Sequence, residues 1–324
     1  MSELAQVLRP LLPVDDPAAL VDASTGDDAA VYDLGDGRAL VVTVDFFTPM
    51  VDDAFDFGRI AATNALSDIY AMGARPLFAL NLLGFPRALL EEGMVEEIMR
   101  GGSTMAAEAG IPILGGHTVD DPEPKYGMVA VGEVASDRIV SNAGAQAGDV
   151  LVLTKPLGNG IIATAIKAEA APDTVVQAAI TSMTTLNRAG AEAMTAVGVN
   201  SATDVTGYGL LGHLGRILQQ SGVSAVVESA TVPVFDGVHD LIESGHIPGG
   251  TERNLDDVAE KVDFGSLDLA SRLTLADAQT SGGLLISVPA DRLEALLSEL
   301  EGETLVQAVI GRVESGQAGT VRVI

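Results

Sequence analysis

The stretch that decides the fold runs from Ala39-Leu-Val-Val-Thr-Val-Asp45 to Asp56-Phe-Gly-Arg-Ile-Ala-Ala-Thr-Asn-Ala-Leu-Ser-Asp68. Its first part is a short apolar run rich in β-branched residues that ends on a carboxylate, which predicts a strand with Asp45 at its C-terminal edge. In its second part, apolar residues recur at helical spacing from Phe57 to Met72, through Ile60, Ala61, Ala65 and Ile69, so a helix is expected there. Asn64 and Asp68 stand four apart on that helix and therefore share a face. The face is otherwise filled by apolar and alanine positions, where an unpaired carboxylate would be costly. A bound metal would remove the cost, and so would a neighbouring arginine such as Arg59.

Strand and helix keep alternating on both sides of this stretch. Before it, residues 1–24 read as a short helix, Leu4 to Leu12, and a lead-in containing Pro and Asp. After it come a strand at Leu77 to Leu83, a helix from about Leu89 to Ala109, the segment Ile111-Pro-Ile-Leu-Gly-Gly-His-Thr118 and a strand at Gly127 to Val134. Gln146-Ala-Gly-Asp149 offers turn chemistry, so one domain is expected over 1–147 and a second over 148–324. The second half reads as a strand at Asp149 to Thr154, a helix beginning at Gly158 and one long alanine-rich helix over 174–197. Ser201 to His213 follow as a strand end, glycine turn and helix start, and Gln279 to Val288 as a glycine turn entering a buried strand. The pattern predicts a mixed α/β class without short repeats.

Composition narrows the function. With 18 basic against 45 acidic residues, a formal −27, the surface repels nucleic-acid backbones and anionic membranes, so neither is expected as a partner. A bound polyphosphate would have to arrive with cations, because only Lys125, Lys155, Lys167 and Lys261 supply ammonium groups. The same bias fits a salt-adapted surface. No cysteine is present, which removes disulfides, thiolate metal sites and cysteine nucleophiles from these residues. There is neither a signal-like N-terminus nor an apolar run of membrane-spanning length, and a cytoplasmic location is expected. Aromatic residues make up 4% of the chain, so the core should be built of Ala, Val, Ile and Leu.

Acidic residues beside small loops carry the main chemical signal: Gly26-Asp27-Asp28, Asp45, Asp68 and Asp204. Magnesium prefers carboxylate and water oxygens and commonly keeps substrate phosphates as further ligands, so aspartates converging on one cleft would suit Mg-ATP. Taken singly, each reads more readily as a cap, a turn residue or solvated surface. Glycine pairs at Gly115-Gly116-His117-Thr118, Gly207-Tyr208-Gly209, Gly249-Gly250 and Gly282-Gly283 are read as turns whose exposed N–H groups can cradle phosphate. No P-loop or dinucleotide glycine pattern occurs. His117 and His213 are candidate bases or hydrogen-bonded structural residues.

A resemblance carries the reading further. The runs Asp27-Asp28-Ala-Ala-Val-Tyr-Asp33, Asp45-Phe-Phe-Thr-Pro-Met-Val-Asp52 and Asp56 to Asp68 closely resemble selenophosphate synthetases. So do, in the same order, Gly115 to Gly127, Leu153-Thr-Lys-Pro-Leu-Gly158, Thr203 to Leu214, Pro248-Gly-Gly-Thr-Glu-Arg-Asn254 and Asp277 to Leu285. The resemblance implies the two-domain α/β fold of aminoimidazole ribonucleotide synthetase (PurM-like), with an N-terminal sheet that makes a homodimer. It implies a kinase-type reaction in which ATP, selenide and water give selenophosphate, AMP and phosphate. By motif, Asp28, Asp68 and Asp204 would hold Mg2+, while Thr25, Gly26, Asp27, Asp45, Asp68, Gly116, His117 and Thr118 would contact ATP, with Asn64 in support.

The chain departs from that family at its start. The resemblance implies a glycine-rich segment with a reactive Cys or selenocysteine and an essential Lys, expected upstream of Met1 and ahead of the helix matched by Ser2 to Leu12. Within the chain there is no Cys, and no Lys before Lys125. The expectation is a form truncated at its N-terminus, with Met1 a new start, that binds Mg-ATP but is catalytically impaired. The alternatives are a paralogue that binds nucleotide in a regulatory or scaffold role, or another ATP-dependent enzyme of the same fold.

Overall fold

The computed structural model describes residues 15–87 and 93–324. Met1 and the expected helix from Leu4 to Leu12 therefore lie outside the described residues. The first half contains β1 (Ala19–Val21), β2 (Ala30–Asp33), β3 (Arg38–Phe47), α1 (Ala54–Ala71), β4 (Arg75–Phe85), α2 (Met94–Glu108), β5 (Ile113–Asp120) and β6 (Lys125–Ala135). Its strands form one sheet in the order β1-β2-β3-β6-β4-β5, antiparallel except where β5 runs parallel to β4. The second half contains β7 (Val150–Leu153), α3 (Asn159–Lys167), α4 (Asp173–Thr184), α5 (Arg188–Val197), β8 (Ser201–Asp204), α6 (Gly209–Ser221) and β9 (Ser224–Val227). It continues with α7 (Val238–Glu243), α8 (Gly249–Val258), β10 (Val262–Asp263), α9 (Leu269–Ala276), β11 (Leu284–Val288), α10 (Leu293–Leu300), β12 (Ala308–Glu314) and β13 (Val321–Val323). A seven-stranded sheet, β10-β13-β9-β12-β7-β11-β8, ends on the strand that carries Asp204.

Helix α1 is the packing hub. Asp53 caps it by accepting from the Asp56 N–H at 2.8 Å, and Gly73, at φ +68°, ends it in the left-handed conformation that side chains resist. Ile60, Leu66 and Ile69 are fully buried, each contributing roughly 1.5–3 kcal/mol of hydrophobic stabilisation. Against its other side α2 approaches to backbone contact. A Cβ on Gly58 would stand 2.0 Å from the Ile98 carbonyl oxygen, and one on Gly101 would stand 2.1 Å from that of Phe55.

Two expectations need correction. The segment around Gly116, His117 and Thr118 is not a turn: it is the middle of edge strand β5, paired with Asn81, Leu82 and Leu83 of β4. Gly116 is bare because an added Cβ would stand 2.2 Å from the Asn81 carbonyl oxygen. The single helix expected over 174–197 is two, α4 and α5, parted at Thr185-Leu186-Asn187. No proline or glycine marks that break. Tertiary bonds hold it, with the Thr185 carbonyl accepting from Lys155 Nζ at 2.7 Å and Asn187 Nδ2 donating to Ser67 Oγ and the Gly282 carbonyl, both at 2.8 Å.

Candidate active site

Four carboxylates meet where the two halves face each other. Asp45 comes from the end of β3, Asp68 from α1, Asp28 from the loop before β2 and Asp204 from the last residue of β8. Alternation along β3 turns Thr43, Asp45 and Phe47 toward α1 and leaves Val42, Val44 and Phe46 on the exposed side. Thr43 Oγ1 donates to Asp68 Oδ2, and Asn64 Nδ2 donates to Asp45 Oδ2, each at 2.5 Å. The shared face of Asn64 and Asp68 therefore looks onto the inner side of β3. Arg59, the other candidate neutraliser of that face, pairs with Asp56 at 2.6 Å.

From the second half, Thr203 Oγ1 donates to Asp28 Oδ1 at 2.7 Å and lies 3.5 Å from His213 Nδ1. His213 Nε2 accepts from the Thr206 N–H at 3.2 Å, which assigns the ring proton to Nδ1. Burial, helped by Arg216, pulls this imidazole down to about 3. It is a neutral residue that braces Thr203, and is unsuited to act as a base near neutral pH.

The carboxylates are short of partners. Asp204 is 1% exposed, and neither of its oxygens accepts a hydrogen bond of normal geometry; Asp28 Oδ2 is also buried without a partner. Loss of solvation, then repulsion from Asp204, raises both Asp28 and Asp68 well above the usual carboxylate range. Burial raises Asp204 to about 6, with Ser67 and Lys155 tempering the rise and Asp45 adding to it. Asp45 is raised by burial as well, against the pull of its Asn64 bond. Orphaned carboxylate oxygens in a common cleft are costly unless a cation or protons answer them.

The residues present fit a hard divalent cation. Among the described residues, no three His, Asp or Glu side chains close around a single point as a finished metal centre. Mg2+ commonly takes one or two carboxylates per ion and completes its octahedron with water and phosphate oxygens. Asp28, Asp68 and Asp204 are the residues that would hold it, with Asp45 held alongside by Asn64.

The other expected contact residues fall in two places. Thr25, Gly26 and Asp27 lie beside the aspartates, but much of their polar capacity is spent tying this loop to α6 and to the segment between the halves. The Gly26 carbonyl accepts from Arg216 at 2.8 Å, the Thr25 carbonyl from Gln220 Nε2, and Asp27 Oδ1 from the Asn142 N–H at 2.5 Å. Gly26 sits at φ +63°, the left-handed region that favours glycine. Gly116, His117 and Thr118 are exposed on edge strand β5 and share no bond with the aspartates. Sequence reasoning missed Thr43 and Thr203, which aim Asp68 and Asp28. The period-two pattern Val41-Val42-Thr43-Val44-Asp45 was the available signal for the first; Thr203 had none, because its partner is 175 residues away.

Comparison with known proteins adds an independent line. A family model for the AIR synthase related protein N-terminal domain matches residues 26–134, and one for the AIR synthase related protein C-terminal domain matches residues 146–324. The selenide, water dikinase of Myxococcus xanthus is 52% identical, over 98% of this chain and 91% of that protein. Its namesake from Carboxydothermus hydrogenoformans is 48% identical, over 98% and 92%. Among solved structures, thiamine-monophosphate kinase from Stenotrophomonas maltophilia superposes with a TM-score of 0.70 at 24% identity, covering 99% of this chain and 94% of that one. Hydrogenase maturation protein HypE in complex with ATP gives a TM-score of 0.67 at 23% identity, covering 99% and 90%. These two likenesses establish the PurM-like fold.

Proposed function

The chain belongs to the selenide, water dikinase family, kinase-type enzymes of PurM-like fold, and from that premise we propose that it binds Mg-ATP in the acidic cleft and serves the ATP-dependent phosphorylation of selenide. The observation that carries this is the mutual repulsion of Asp28, Asp68 and Asp204, with buried oxygens on two of them left unpartnered. Bound Mg2+ would screen the triphosphate from these carboxylates and stabilise charge on the transferred phosphoryl group. The chain's own part is to aim the carboxylates: Thr43 orients Asp68, Thr203 orients Asp28, and Asn64 holds Asp45 for the nucleotide. Thr25, Gly26 and Asp27 would bound the nucleotide on one side, and Gly116, His117 and Thr118 would border it on β5. ATP in a solved relative of the same fold supports the nucleotide reading.

Turnover to selenophosphate is proposed to be weak for these 324 residues, which hold no cysteine to act as nucleophile. Among the lysines, Lys125 is paired with Asp121 at 2.9 Å and Lys155 is buried. A regulatory protein that binds nucleotide without turnover is the second reading this favours. Calorimetric titration with ATP, with and without Mg2+, tests the site; Mg-independent or absent binding would overturn it. AMP release with and without selenide tests the turnover: vigorous selenide-dependent AMP formation would overturn the impairment, and no hydrolysis in either condition would favour the regulatory reading.

Two further parts of the reading concern assembly and place. Val44 and Phe46, more than half exposed at 56% and 52%, share the outer face of the first sheet with Tyr32 and Val42, an apolar surface suited to a second copy of the chain. Val44→Glu should convert a dimer to monomer in sedimentation, and an unchanged dimer would sink that interface. The domain division is proposed at 147/148, in the stretch between β6 and β7. No described helix is long and apolar enough to cross a membrane, and a cytoplasmic site of action is proposed to match the supply of ATP.

A further inference from the structure

A buried lysine with no place in the chemistry above sits beside the cleft. Lys155, just past the end of β7, is 2% exposed and donates from Nζ to the carbonyls of Thr185 at 2.7 Å and Ser281 at 2.9 Å. Burial lowers it to about 7, against a pull upward from Asp204. Burying an ammonium is costly, and two neutral carbonyls offset only part of the cost.

What Lys155 grips is unusual. Ser281 is one of two non-glycine residues at positive φ among the described residues, at +49°, and its hydroxyl is buried without a partner. Such a conformation costs on the order of 1 kcal/mol and persists only where its surroundings enforce it. Lys155 enforces it on the carbonyl side, while the Ser281 N–H donates to Asn64 Oδ1 at 2.8 Å. Asn64 in turn holds Asp45. The two glycines that follow wedge the turn in place: a Cβ on Gly282 would stand 2.0 Å from the Val205 carbonyl oxygen, and one on Gly283 would stand 2.4 Å from the backbone nitrogen of Lys155. The Gly283 carbonyl then accepts from the Val205 N–H at 2.9 Å, next to Asp204. A continuous path therefore runs from Lys155 through Ser281 and Asn64 to Asp45 in the first half, and through Gly283 to the neighbour of Asp204 in the second.

We propose that Lys155 is a positioning residue for the acidic cleft, holding the left-handed Ser281 turn so that carboxylates from the two halves keep one mutual geometry for the metal–nucleotide complex. The inference rests on the nucleotide reading above. Mg-ATP binding by the unaltered chain is therefore measured first, and its absence would defeat that reading and leave Lys155 out of the question. Given binding, Lys155→Met should fold with a cooperative melt and lose about tenfold or more in Mg-ATP affinity. Adding Ser281→Gly, which adopts positive φ freely, should recover most of that loss, since the turn then needs no enforcing. Affinity unchanged in folded Lys155→Met would overturn the proposal. So would a loss that Ser281→Gly leaves untouched, because the lysine would then act through charge or packing alone. If Lys155→Met fails to fold, Lys155→Gln, which keeps donors without charge, is judged by the same two outcomes.

Discussion

Asp204 and Asp277 are both fully buried aspartates raised by burial to about 6, yet they are surrounded in opposite ways. Asp277 Oδ2 accepts from the N–H groups of Gly160 and Ile161 at 3.1 and 3.3 Å and from Gln279 Nε2 at 2.8 Å, while Oδ1 accepts from Thr251 Oγ1 at 2.7 Å. It caps the first turn of α3, which has no cap of its own, and its charge meets the positive end of that helix. Asp204 has no such bonds; Asp45 repels it, and Lys155 offsets only part of its burial. The contrast teaches that burial alone does not mark a functional carboxylate. Asp277 is answered by donors from its own half, whereas the oxygens of Asp204 are left without one, which is what the proposed cation would answer.

The largest effect that can break this comparison is expected from Asp204→Asn. It should cost about 100-fold or more in Mg-dependent nucleotide affinity, while the melting temperature without ligand holds or rises because a repelling charge is gone. Asp277→Asn should do the reverse, destabilising the fold by about 1–3 kcal/mol as amide hydrogens replace an acceptor, with nucleotide affinity of the folded protein nearly kept. Equal melting losses in the two variants, read by calorimetry, would erase the distinction.

A pH series sharpens it. Asp204 has a folded value of about 6, above its ordinary 3.8, so its contribution to stability is fully present below 3.8 and is lost as pH rises through about 6. Bound Mg2+ would answer the charge that the lost proton leaves on Asp204. The rise in melting temperature on adding Mg2+ should therefore be larger at pH 7.5 than at pH 5, by about 2–4 °C, and the difference should shrink in Asp204→Asn, where Asp28 and Asp68 remain, but survive in full in Asp277→Asn. The smallest effect concerns aim: Thr203→Val removes the donor to Asp28 and should lower Mg-nucleotide affinity by about three- to tenfold, a change visible in the same titrations.

Much of this molecule is legible one residue after another. The β3 alternation and the helical spacing of α1 are local patterns, and both elements form where the pattern predicts, with α1 starting three residues early because Asp53 caps it. The ordered motifs from Asp27 to Leu285 pointed to the family that the comparisons bear out. The absence of cysteine is a property of composition and needs no fold to be read.

Other features exist only in three dimensions. The break between α4 and α5 carries no local signal, because Lys155 and Ser67 hold it from distant parts of the chain. Likewise the Gly116 segment passes for a turn until β4 is set beside it, when its bareness proves to be room for a strand. Which aspartates are satisfied and which are orphaned was decided by tertiary structure alone. Spacing along a chain states which residues can share one face of one element; whether a donor arrives from 100 or more residues away depends on how the elements pack, and that is set by the summed burial of both cores.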